Sequence, residues 1–111
     1  MFDPAFSPSG PSVLVDNTAR QVFTRDGTQS VTYRVRNMAA AAQYFTWSTP
    51  NITAGPTTAP TGLSAAAPVA GTPANVIGML AGSVELFRFP PNAWFLAGTA
   101  TGFEFTPGEG R

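Results

Sequence analysis

Apolar and polar residues alternate in short runs along this chain, most cleanly in QSVTYRVRN, residues 29–37. Val31, Tyr33 and Val35 fall on one side of an extended backbone, and Thr32, Arg34 and Arg36 on the other. That period predicts a half-buried antiparallel strand. Upstream, SVLVDN (12–17) predicts a short strand ending in a turn. RQVFT (20–24) is separated from the alternating run by RDGT, and an Asp-Gly pair between two β-rich runs predicts a hairpin joining them. MAAAAQ (38–43) has helical propensity but is too short to hold a helix alone, so a turn or a single helical loop is expected. QYFTWS (43–48) predicts another strand, with Tyr44 and Thr46 on one face and Phe45 and Trp47 on the other.

The second half repeats the theme. NVIGML (75–80) reads as a short strand in which Gly78 marks a candidate bulge. SVELFRF (83–89) carries apolar residues on both faces, as expected of a strand covered twice. PPN turns the chain, AWFLAG (93–98) and TGFEFT (101–106) predict two further strands, and PGEG is expected to end the fold. Val84, Leu86, Phe87, Phe103 and Phe105 are the predicted core of this half. Between the two halves, residues 49–75 are rich in proline, glycine, alanine and threonine. They fit either one or two irregular edge strands around TGLSAAAPV or a projecting loop that orders on a partner. No charged residue occurs between Arg36 and Glu85, which favours a covered or packed segment. Residues 1–12 hold three prolines and read as an extended arm, with Phe2 and Phe6 placed to dock on a neighbour and Pro8 between them and the domain. The sum is about seven or eight short strands and no convincing helix. It predicts an all-β protein with one antiparallel sandwich or barrel domain over residues 13–111.

Composition narrows the function. Six arginines balance six acids over 111 residues, with no lysine. Nucleic-acid binders and basic membrane-surface proteins need a cationic excess, so neither partner is expected. There is no cysteine and no histidine, which removes disulfides, zinc-thiolate and iron–sulfur sites, and every Ser-His or Cys-His nucleophile pair. The first residues lack the basic and long apolar regions of a signal peptide, and no stretch is apolar enough for a membrane span. A soluble protein folded in a cytoplasm is expected. Glu85 and Glu104 are the one candidate carboxylate pair for acid–base catalysis, without supporting polar groups. Asp3, Asp16 and Asp26 are scattered singly, and Asp16 and Asp26 read as turn formers rather than calcium ligands. The Asn51 sequon matters only in a secreted eukaryotic protein. No enzyme and no cofactor is expected. Tyr44, Trp47 and Trp94 are the candidates for stacking on sugars, and Trp94 follows the proline turn, where it would sit near a rim.

The stretches QVFTRDGTQSVTYRVRNMAAAAQYFTWST and SVELFRFPPNAWFLAGTATGFEFTPGEG together resemble the small decoration, or cement, proteins of tailed-phage capsids, in particular the stapling type of short-tailed phages related to epsilon-fifteen. The resemblance implies a jelly-roll-like β-sandwich on the capsid exterior, made in the host cytoplasm. It implies binding to the major capsid protein and bridging of neighbouring subunits against internal pressure. It also implies a homo-oligomer on the capsid, a dimer ahead of a trimer. On this reading Phe2, Phe6, Pro8 and Trp94 are the candidate partner-binding residues. The alternatives are a carbohydrate-binding sandwich module for surface glycans, and a minor head-completion or tail component.

Overall fold

A computed structural model describes residues 7–8, 10–24, 31–50 and 57–109 of the chain. They form nine strands: β1 (Ser7–Pro8), β2 (Val13–Val15), β3 (Arg20–Gln21), β4 (Val31–Asn37), β5 (Gln43–Ser48), β6 (Val76–Met79), β7 (Val84–Phe89), β8 (Trp94–Ala97) and β9 (Phe103–Glu109). One sheet has the order β1-β9-β4-β7, with β2 also on β9; the other has the order β3-β8-β5-β6. Every pairing is antiparallel. The partners are nested: β5 with β6, β4 with β7, β3 with β8, β2 with β9, successive pairs falling in alternate sheets. This is the jelly-roll form of the β-sandwich, one long antiparallel ribbon wrapped into two facing sheets.

The nesting overturns the Asp-Gly hairpin. β3 and β4 lie in different sheets and do not pair. Residues 25–30, which carry the Asp-Gly, lie outside the described residues. β4 has both flanks occupied, by β7 and β9, while β3 takes the edge beside β8. The long segment after β5 connects the innermost pair. It contains no strand among its described residues, only an isolated bridge between Val69 and Thr72 around Gly71, whose φ is 79°.

The core is the space between the sheets. Val15, Val22, Tyr33, Val35, Phe45, Phe95, Phe103 and Phe105 are completely buried there. Phe45 is central: its ring lies 4.9 Å from Phe103 and 5.2 Å from Phe105, and it also meets Phe87, Phe89 and Phe95 edge-on. Phe95 stacks on Phe105 at 4.1 Å. The Tyr33 hydroxyl donates to the Pro90 carbonyl at 2.9 Å, and burial pushes its pKa up to about 12.

Two core assignments fail on β7. It is an edge strand with one face on the core, so Phe87 and Phe89 turn inward while Val84 and Leu86 turn outward, in register with Arg36 and Arg34. Val84 is 46% exposed. Glu85, opposite Val35 at the inward parity, is exposed near the strand's start, an inward-parity charge of the kind that discourages edge-to-edge pairing.

PGEG does not end the fold. β9 continues through Pro107 and Gly108 to Glu109. Its register with β4 continues over Pro107, opposite Tyr33. On its other flank, Val13 pairs with Phe105 and Pro8 with Gly108, so residues 10–12 face Thr106 and Pro107 without laddering. A proline, which has no N–H to donate, is accommodated where the neighbour leaves the ladder. The described part of the arm thus lies along β9, and Ser12 Oγ and Thr106 Oγ1 are hydrogen-bonded at 2.6 Å. Gly78 forms no bulge. It pairs regularly with Tyr44, and a β-carbon there would meet the Tyr44 ring at 2.9 Å, so the glycine makes room for an aromatic ring from the next strand.

Candidate functional site

Two amide side chains organise one end of the sandwich. Asn37 ends β4 and Gln43 begins β5, both at inward parity and both buried. Asn37 Nδ2 lies 3.0–3.1 Å from the carbonyls of Ala41, Met79 and Leu80, and its Oδ1 accepts from the Ala39 N–H and from Gln43 Nε2 at 2.9 Å. Gln43 Nε2 also reaches the Thr101 and Gly102 carbonyls at 3.0 and 2.9 Å, and Thr99 Oγ1 donates to Gln43 Oε1 at 2.8 Å. The Met38 N–H donates to Gly102 and the Asn37 N–H to Ser83, each at 3.0 Å. Three loops, 38–42, 80–83 and 98–102, are tied together by this network. Buried and satisfied, it holds them rigid. None carries a charged residue, and Met38 and Leu80 stand exposed, Leu80 by 74%. The result is a neutral, partly apolar, pre-shaped tip.

The segment 57–75 adjoins that tip. Ala65 is buried, and its carbonyl lies within 3.6 Å of where a Gly98 β-carbon would stand. At its far end the Asn75 carbonyl accepts from Thr46 Oγ1 at 2.6 Å. The segment therefore crosses the outer face of the β3-β8-β5-β6 sheet from one end to the other. Ala65 is buried and Leu63 half-buried, but Ala66–Asn75 are all exposed, with Val69 at 69%. Among the described residues of the segment, the expectation of a covered stretch holds at Ala65 and in part at Pro60 and Leu63, and the rest of residues 57–75 is exposed.

The opposite face is different. On the outer side of the other sheet, Leu14, Glu104, Arg36 and Val84 form one row across β2, β9, β4 and β7. Thr106, Arg34 and Leu86 form the next row, and Gly108, Thr32 and Arg88 the third. Among the described residues, three guanidinium groups share this face with one carboxylate. Arg34 approaches Glu104 at 3.9 Å, with both side chains part-exposed, so that pair contributes little.

Of the partner-binding residues expected from sequence, Phe2 and Phe6 lie outside the described residues, as do Asp3, Asp26 and Asn51. Pro8 is exposed and paired in β1 with Gly108. Trp94 is a correction: it is only 7% exposed and offers no platform at a rim. It sits on the outward parity of β8, flanked by β3 and β5, on the sheet face that the 57–75 segment crosses. Trp47 is half-buried, its ring 5.5 Å from Phe89. Tyr44 is part-exposed, one side of its ring against Gly78. Glu85 and Glu104 do not form a pair, since β4 lies between their strands and they sit at opposite parities. Asp16 is the expected turn former: its Oδ1 accepts from the Thr18 N–H, and Arg20 grips both carboxylate oxygens at 3.0 Å. The Arg20 contact, with help from the Thr18 N–H, lowers the Asp16 pKa to about 2. Among the described residues no cluster of three or more His, Cys, Asp or Glu side chains suits a metal ion, and no helix is long and apolar enough to cross a membrane.

Asn37 and Gln43 are the residues that the sequence reading passed over. Their signal is positional: each continues the apolar side of an alternating run, 31-33-35-37 and 43-45-47, with a polar residue where the core requires a partner. No protein-family model matches this chain, and neither a curated protein nor a solved structure matches it.

Proposed function

We propose that this chain is a structural decoration protein that binds the outside of a phage capsid and staples neighbouring major capsid protein subunits. The observation that carries the reading is the neutral tip: three uncharged loops locked in place by the buried Asn37–Gln43 network, beside the exposed run Ala66–Asn75. A surface that is rigid before binding loses little conformational entropy on docking, and one without charges has little to desolvate. Such a tip suits a protein whose work is to be bound. The arm approaches the sandwich at β9, in the other sheet, so two contact regions on one rigid body would engage two neighbours. Bivalent attachment raises the effective affinity of each copy, and many copies act in parallel on the shell. The virion exterior is the corresponding location and the major capsid protein the corresponding partner. A sugar-binding role has less to stand on, since Trp94 is buried and Trp47 half-buried.

The test is co-sedimentation of the purified chain with undecorated capsids from its own source, counting bound copies per particle. Saturation at a number set by the capsid's symmetry is the expected outcome. A folded chain that stays in the supernatant at every concentration overturns the reading, and a handful of copies per particle points instead to a head-completion or tail component.

A further inference from the structure

The chain is neutral overall, yet its charges are unevenly placed. Every residue from Asn37 to Val84 is uncharged, and this stretch supplies β5, β6, the tip loops 38–42 and 80–83, and the long connection between β5 and β6. Among the described residues, the outer face of the β1-β9-β4-β7 sheet gathers Arg34, Arg36 and Arg88 against Glu104. Ladder spacing puts the Cα atoms of Arg36 and Arg88 about 14 Å apart, with Arg34 between them. Apolar side chains flank the strip: exposed Leu14 and Val84 at one end, and half-buried Leu86 beside Arg34. We propose that this face is a second docking surface, and that its occupant is an acidic, partly apolar patch of the capsid protein. The assignment rests on the decoration reading above.

The chemistry selects that occupant. Guanidinium groups bind carboxylates through paired N–H donors, which fixes orientation as well as attraction. Arginine among apolar neighbours is the composition of a protein interface. A nucleic-acid backbone fits worse, because Glu104 stands within the strip and would repel phosphates, and Leu14, Val84 and Leu86 have no phosphate to meet. A second copy fits worse too: a two-fold axis through this face would set arginines against arginines. The neutral tip and the basic face would then work differently. The tip supplies shape, and the basic face supplies register and speeds encounter.

The experiment compares the unmodified chain with Arg36→Glu, Arg88→Glu and the double variant in capsid co-sedimentation between low and high salt, with circular dichroism and thermal melting as checks of folding. Both arginines are exposed, so the variants are expected to fold. The double variant should bind at least tenfold more weakly at low salt and lose most of the salt dependence of the unmodified chain. Arg20→Glu, away from this face, should bind as the unmodified chain does. Equal binding by folded double variant and unmodified chain overturns the face assignment and leaves the decoration reading intact. An unmodified chain that binds no capsids overturns both. Salt-sensitive binding of labelled duplex DNA, lost in the double variant, overturns the protein-partner assignment in favour of nucleic acid.

Discussion

A β-carbon on Gly102 would collide with the carbonyl oxygen of Val15 and lie 3.1 Å from the Ala97 side chain. The obstacle is backbone in a paired strand, so it cannot swing aside. Gly102→Ala should therefore cost stability at or beyond the upper end of the roughly 1–3 kcal/mol typical of overpacking, read as a fall in the urea midpoint. Gly102 also gives its carbonyl to Met38 and Gln43, so the same change should loosen the tip. Asp16 predicts a pH effect. Its pKa is lowered in the folded state, chiefly by the Arg20 contact, from 3.8 to about 2. A lowered carboxyl pKa stabilises the fold above the unfolded value, and that contribution disappears as pH falls through the folded value. The chain should thus lose this contribution between about pH 4 and pH 2, and Asp16→Asn should flatten the stability profile in that window. An unchanged profile in the variant would show that the exposed pair has no role in acid stability.

Strand identity was legible in the sequence because alternation is a local property. β4, β5, β8 and the start of β9 follow directly from the runs at 29–37, 43–48, 93–98 and 101–106. Pairing was not legible, because the jelly roll joins strands far apart in the chain, and the Asp-Gly signal between β3 and β4 describes only their separation. β7 shows the same limit. Apolar residues on both of its sides suggested two covers, but the strand is an edge, and its outer leucine and valine share their face with arginines. Phe103→Ala, at a completely buried position, should cost about 3–5 kcal/mol, whereas Leu86→Ala should cost less than about 1.5 kcal/mol. Equal losses in parallel denaturant titrations would mean that Leu86 has a cover. Of the candidate site, the uncharged stretch was visible and its fixing was not. A buried Asn or Gln acquires meaning only when the carbonyls it ties are known.

The whole molecule closes around β9. That strand pairs with β1 and β2 on one flank and β4 on the other, so it occupies the middle of its sheet although it is the last of the described strands to be made. On a ribosome, β4 therefore waits with a bare flank while the residues from Met38 to Phe103 are synthesised, on the order of several seconds. The nested pairs can meanwhile form in order of emergence: β5 with β6, then β4 with β7, then β3 with β8. Contacts this distant in sequence make for slow folding. Until β9 inserts, the nascent chain presents an open strand edge, the usual template for unwanted association. A messenger cut short before the codon for Phe103 would yield chains that stick to one another, whereas a chain that carries β9 seals the edge with it.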